Sequence, residues 1–381
     1  MPHQPPTFFQ PRLEALRGYA ALMVAYAHSL GAAAILSPES ARIKQWLAIL
    51  GNGGVGVTIF FVLSGYVLSL SLSRSGPATL SLWWGFVLRR FLRIFPAMLV
   101  CLLFCFVWVN WVHVPQHFQA ASRDYYLYWN APVSLLELIK DLAFISNRLN
   151  PVTWTLQVEM LAGMAFVPLW LLGRKSRWLA VLLLTVWIGY FWLAPLYSFA
   201  RSGFIFMFIL GMLVKPATEW LQRYCMPRQG PKLALLAFLL CCLVNKLIPE
   251  TASEAWVLEA LLAYLLIASL GHGNQQGSLP VMDHRLPRFI GTISYSFYLW
   301  HFPVLFISGT WLFSVVPGDL VLSWPNLFQN VLFFVSAACA IPVAWLSYRY
   351  VETPFLRWVR AHGQPGSPLR AVAPSVARPV A

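Results

Sequence analysis

Long apolar runs, broken by short polar or basic segments, dominate the hydrophobic pattern of this chain. Ten of them approach the ~20 residues that a helix needs to cross a bilayer. They fall near 15–36, 53–73, 94–114, 152–173, 178–195, 200–216, 232–248, 255–271, 288–312 and 326–349. The ten-residue alternation of an outer-membrane barrel is absent. The pattern predicts an all-α, polytopic membrane protein with about ten transmembrane helices within residues 1–360. Residues 361–381, rich in Pro, Ala, Gly and Ser, read as a disordered cytoplasmic tail. The longest connection, 115–151, is rich in aromatics (Tyr125, Tyr126, Tyr128, Trp129) and holds a short amphipathic stretch over 134–145 that suits a membrane interface.

Composition removes the soluble alternative. Of 381 residues, 59% are hydrophobic and 10% charged, against about 25% charged in a soluble domain. The net charge is +14, and its placement matters more than its size. With the N-terminus inside and ten alternating spans, 20 of the 27 Lys and Arg fall on the inner side. That is the positive-inside asymmetry, so both termini are expected to be cytoplasmic. The charge then reads as topogenic, lipid is the expected surroundings, and no nucleic-acid partner is implied. The six cysteines form neither a disulfide framework nor a zinc spacing, so neither a metal nor a permanently bound cofactor is expected.

Ionisable residues inside spans are costly and mark function by default. Here they are His28, Glu159, Glu259 and His301. His28 lies 13 residues into its span, about 20 Å, and Glu159 about 10 Å from the outer start of its own. The two are expected at one level, as a general base with its supporting carboxylate or as a structural pair. Arg17 lies about 16 Å before His28 on roughly the same helix face. Arg90 and Arg93 share a face at i, i+3. Together these three guanidiniums suit a phosphate-bearing ligand, although topogenic charge alone also explains them. Trp154 suits either an interfacial belt or an acceptor contact, and His301 a cross-helix hydrogen bond or a substrate contact. Ser64 and Gly65 allow close helix approach or line a cavity. Glu352 is expected to pair with Arg349 or Arg357, and Glu259 has no assigned partner.

Six segments then resemble, in order, the integral-membrane acyltransferase-3 family, which includes O-acetyltransferases of bacterial surface polysaccharides. They are Leu13-Glu14-Ala15-Leu16-Arg17-Gly18 with His28 ten residues on, Phe60 to Tyr66, Arg89 to Pro96, Trp154 to Glu159, Ile293 to Pro303 and Ser347 to Phe355. The resemblance implies ten helices, a cytoplasmic acyl-CoA co-substrate, in the first place acetyl-CoA, and an acceptor hydroxyl on a carbohydrate or lipid-linked glycan. It implies His28 and Glu159 as catalytic residues and Arg90 and Arg93 as donor-binding residues; geometry adds Arg17 to the donor end, and Trp154 and His301 are the candidates for acceptor contact. Where many members carry a second acid after the glutamate, this chain has Met160, so Glu159 acts alone. The implied setting is a bacterial inner membrane, and the implied product an exopolysaccharide or lipopolysaccharide modification. The length leaves no room for the extracytoplasmic hydrolase-like domain fused to some members. The alternative reading is a proton-coupled transporter or flippase using the His28/Glu159 pair, although no internal repeat is visible. Oligomeric state is not legible.

Overall fold

The computed structural model describes residues 10–73, 80–126, 128–193, 199–224, 229–249, 252–271 and 279–362. The tail expected over 361–381 lies, from 363 onward, outside the described residues, as do Arg74 and Cys225. The described chain is helical: α1 (Pro11–Ser29), α2 (Pro38–Leu50), α3 (Gly53–Leu72), α4 (Leu80–Val107), α5 (Arg123–Tyr126), α6 (Leu135–Leu142), α7 (Trp154–Lys175), α8 (Arg177–Leu193) and α9 (Ile205–Met212). There follow α10 (Val214–Tyr224), α11 (Gly230–Leu247), α12 (Ser253–Leu270), α13 (Pro280–Asp283), α14 (Arg285–Thr292), α15 (Ser294–Val315), α16 (Gly318–Ser323), α17 (Pro325–Ser347) and α18 (Thr353–His362). Among the described residues seven segments are long and apolar enough to cross a membrane, and Trp178–Leu193 and Gly230–Val244 are shorter apolar helices. Helix α1 carries Arg12, Glu14 and Arg17 in its first two turns. It is tolerated because it packs inside the bundle, against α3, α14, α15 and α17. The protein is thus an all-α polytopic membrane protein.

Three boundaries differ from the hydrophobic pattern, each for a local reason. The first run does not continue as helix to 36. Helix α1 stops at Ser29, and a separate α2 begins where Ser37 caps it, accepting from the Ser40 amide at 3.1 Å, with Pro38 at the first helical position. The sixth run is broken between α9 and α10. Pro216 has no N–H to give the carbonyl four residues back, so the helix restarts. The third helix starts at Leu80 rather than near 94, which puts Arg89, Arg90 and Arg93 inside α4 instead of ahead of it.

Prolines inside helices free carbonyls, and side chains from other helices take them. Pro303 in α15 leaves the Leu299 carbonyl without its helical donor. Fully buried Asn150 fills that role, donating from Nδ2 at 2.9 Å. Pro168 in α7 does the same for Met164, whose oxygen accepts from Trp83 Nε1 at 2.8 Å. Asn150→Leu is therefore expected to lower stability by about 1–3 kcal/mol, because the carbonyl keeps only the weak Cys101 Sγ donor at 3.5 Å. Thermal unfolding in detergent measures it, and an unchanged midpoint would show that the carbonyl finds another donor.

Glycines set the closest helix contacts. A Cβ at Gly65 of α3 would stand 2.8 Å from the Phe208 Cα of α9, and one at Gly211 would stand 2.7 Å from the Tyr66 amide nitrogen. Intramembrane Glu259 accepts from Asn52 Nδ2 at 3.0 Å. Asn52 also caps α3, so one side chain ties the start of α3 to α12. At the basic end, Arg12 donates two bonds to Asp283 and holds that carboxyl below the usual carboxylate range. This clamp is complete at neutral pH and is lost as the pH falls through the depressed value. The amphipathic stretch of the long loop is α6, with Leu135, Leu136 and Ile139 exposed as an interfacial helix requires. Tyr125 and Trp129 of the same loop are core residues: Tyr125 stacks on Phe306 and Trp129 Nε1 donates to the Leu149 carbonyl.

Candidate active site

Five helices surround a cavity of about 120 Å³ whose largely apolar wall carries a few charged and hydroxyl groups. Helix α1 contributes Arg17, α3 contributes Phe60, Phe61 and Ser64, and α4 contributes Arg90 and Arg93. Helix α7 contributes Thr155 and Glu159, and α15 contributes Ser294, Tyr295 and Tyr298. The i, i+3 spacing on α4 aims both arginines into the same space, as the sequence predicts. Arg90 donates from Nε to the Glu159 carbonyl at 2.9 Å, and its terminal nitrogen lies 3.4 Å from the Glu159 carboxylate. The Ser64 hydroxyl donates to the other carboxylate oxygen at 3.5 Å, while Gly65 packs on α9, so both expectations for this dipeptide hold. Arg93 is exposed at the cavity, and Arg17 is half-buried.

Gly163, one turn after Glu159, makes room for Arg90. A Cβ there would stand 2.6 Å from the Arg90 Cδ. Because that side chain is tied down at its guanidinium, Gly163→Ala is expected to cost about 1–3 kcal/mol of stability. Gly173→Ala of the same helix, whose Cβ would meet Ala180 at 3.4 Å, serves as the control in thermal unfolding. Equal effects at both positions would show that Arg90 yields freely.

Glu159 does not meet His28, contrary to the depth argument. Depth from the surface does not apply to α7, because the chain before it already lies inside the bundle. Asn150, Pro151, Val152 and Thr153 are all buried, and Asn150 bonds to Leu299 in the middle of α15. Glu159 is therefore deeper toward the arginines than its distance from the helix start implies. His28 meets His301 instead, with ring centroids 5.4 Å apart, and the edge of Phe302 at the same separation. Neither imidazole is among the residues that line the cavity. The Tyr298 ring lines the cavity and is 5.5 Å from the His301 ring, and its hydroxyl interacts with Thr155 at 3.1 Å. Tyr295, Tyr298 and His301 recur every three residues on α15, a periodicity visible in the sequence.

Two further residues depart from their expected surroundings. Trp154 packs between Phe61 and Phe204 and does not line the cavity. Glu352 is buried and accepts from Ser296 at 3.0 Å. Its charged neighbours are Arg93 and Arg17, whereas Arg349 stacks on Trp345 and Tyr350. A wide π-helical turn over Tyr348–Glu352 joins α17 to α18 without interrupting the helix and turns Glu352 inward. Sequence adjacency to Arg349 and Arg357 carried no signal of it.

Fold and site together define a helical membrane protein with a cavity between helices that holds three arginines and a glutamate, and with a histidine pair next to one of its lining tyrosines. The chain belongs to the acyltransferase family: the acyltransferase domain of the acyltransferase-3 type matches residues 10–349. It is 24% identical over 336 residues to the peptidoglycan O-acetyltransferase OatA of Listeria monocytogenes, covering 80% of this chain and 51% of that protein. To the candidate peptidoglycan O-acetyltransferase YrhL of Bacillus subtilis it is 26% identical over 339 residues, covering 80% and 50%. A candidate O-acetyltransferase of Staphylococcus aureus is 24% identical over 356 residues, covering 82% and 54%. The chain spans about half the length of these curated relatives. No solved structure matches it.

Proposed function

We propose that this protein is a membrane O-acyltransferase that moves an acyl group, in the first place acetyl, from acyl-CoA to a hydroxyl of a glycan. The observation that carries the reading is the cavity lined by Arg17, Arg90 and Arg93, whose wall residue Tyr298 lies 5.5 Å from the His301 ring of the His28/His301 pair. An extended thioester with phosphates at its far end fits that order. Phosphates would rest on the guanidiniums, with exposed Arg93 at the mouth, and the thioester arm would lie along Phe60, Thr155 and Tyr298 toward His28. A cavity of about 120 Å³ takes the narrow arm and leaves the nucleotide outside. The inner-side excess of Lys and Arg supports a cytoplasmic donor in a bacterial inner membrane.

His28 takes the proton of the acceptor hydroxyl as its oxygen attacks the thioester carbonyl, and returns the proton to the leaving sulfur. Glu159 is held by Arg90 and Ser64, so its role is to fix the donor end of the cavity. The names of the relatives favour peptidoglycan or another glycan as acceptor over a small molecule. The test is release of CoA thiol from acetyl-CoA by purified protein, with and without peptidoglycan fragments or lipid-linked sugars. Acceptor-dependent release is expected. Thiol release at the background rate with every glycan, alongside proton-coupled uptake of a solute into vesicles, would turn the assignment to transport.

A further inference from the structure

The general base at His28 needs a partner for its second ring nitrogen, and among the described residues no carboxylate is seen to provide one. Glu159 is engaged by Arg90 and Ser64, and the ring neighbours of His28 are His301 and Phe302. His301 is 2% exposed. Its Nδ1 stands 2.7 Å from the Tyr298 carbonyl oxygen. A carbonyl only accepts, so in the neutral ring Nδ1 bears the hydrogen and Nε2 bears the lone pair. That Nε2 is buried and has no hydrogen-bond partner. A buried acceptor left empty is costly and calls for a donor.

Few groups near the pair offer one. The other ring neighbours of His301 are Phe297 and Tyr298. The Tyr298 hydroxyl is occupied with Thr155 and the Val152 carbonyl. His28 remains, at 5.4 Å between ring centroids and 32° between planes. Imidazoles joined by an N–H···N bond have centroids about 5 Å apart, so a small side-chain rotation closes the contact.

Resting on the acyl-transfer reading above, we infer that His301 is the positioning residue of His28. Its Nε2 accepts the N–H of His28, which leaves the other nitrogen of His28 free as base. In the transfer step the acceptor O–H bond breaks and its proton goes to His28. The oxygen forms a bond to the thioester carbonyl carbon. The C–S bond breaks, the sulfur leaves with the electron pair, and it takes the proton back from His28. The tie from His301 Nδ1 to Tyr298 stays in place throughout, so its lone pair faces the imidazolium as the positive charge develops. A neutral histidine thereby takes the part that a carboxylate plays in other acyl-transfer sites.

The test compares wild type, His28→Ala, His301→Leu, His301→Gln and the double variant His28→Ala/His301→Leu as purified proteins, by acetyl-CoA-dependent thiol release with a glycan acceptor. His301→Leu is expected to lower kcat by about 10²-fold with the donor KM unchanged. His301→Gln, which keeps an acceptor atom, is expected to recover about tenfold of that loss. The double variant should be no slower than His28→Ala, because a residue acting through His28 has nothing to act on once it is gone. Multiplying losses in the double variant, or a raised donor KM with unchanged kcat, would overturn the assignment while leaving acyl transfer intact. If His301→Leu does not yield folded protein, His301→Gln decides: activity at the His28→Ala level counts against the inference. Wild type without acceptor-dependent release would overturn the acyl-transfer reading and this inference with it.

Discussion

Alanine at position 28 is expected to lower kcat for acyl transfer by about 10²–10⁴-fold, the usual contribution of a positioned general base, and to leave acyl-CoA binding intact. Two separations in the structure support this split. His28 sits one residue before the end of α1, and Arg17 sits eleven residues earlier on the same helix, about 16 Å away. His28 does not line the arginine cavity; its ring neighbours are His301 and Phe302. Truncating the imidazole removes the proton acceptor without touching the phosphate end. Isothermal titration of the variant with acetyl-CoA, alongside thiol-release kinetics, measures both halves. Full turnover in His28→Ala would take the histidine pair out of the mechanism. Loss of donor binding in the same variant would mean that the arm reaches past Tyr298 before chemistry begins.

Breaking the Arg90–Glu159 pair is expected to have the second largest effect, and to act on binding and stability together. The two side chains are 10% and 21% exposed, inside a segment where water is scarce. Removing one partner leaves the other charge without its counter-ion, at a cost of about 3–5 kcal/mol in buried settings. Arg90→Ala should therefore lower the thermal midpoint and raise the donor KM by at least about tenfold. Arg90→Lys should recover part of the stability, because it keeps the charge, and less of the affinity, because an ammonium lacks the planar fork that bonds the Glu159 carbonyl and faces its carboxylate at once. Glu159→Gln separates the roles further: it keeps the shape and removes the charge, so the stability loss should persist while kcat changes little. A large kcat loss in Glu159→Gln at unchanged stability would return the glutamate to the chemistry.

The sequence carried much of this site, because several relations lie along single helices. Arg17 and His28 share α1, and Arg90 and Arg93 share one face of α4. Tyr295, Tyr298 and His301 recur every three residues on α15. Helical period and rise are local properties, so spacing alone fixed them. The errors lie between helices. Distance from the membrane surface puts Glu159 level with His28 only if α7 begins at that surface, and it does not: Asn150 to Thr153, just ahead of it, are buried. Glu352 was paired with its chain neighbours because nothing local announced that the wide turn at Tyr348–Glu352 faces inward. Nothing in the aromatic loop's sequence announces burial, yet Tyr125 and Trp129 are buried, on α15 and against the Leu149 carbonyl.

By itself, then, the sequence determined an all-α membrane bundle, the membership of its motifs in one family, and the order of groups along each helix. Those follow from hydropathy and helical periodicity, which each segment carries alone. Only the tertiary structure decided which groups face one another: Arg90 with Glu159, Glu352 with Ser296, and His28 with His301. Partnership across helices depends on how far each chain segment enters the bundle. That depth is set by contacts such as Asn150 with Leu299 and the glycine seams of α3 and α9, which no single segment encodes.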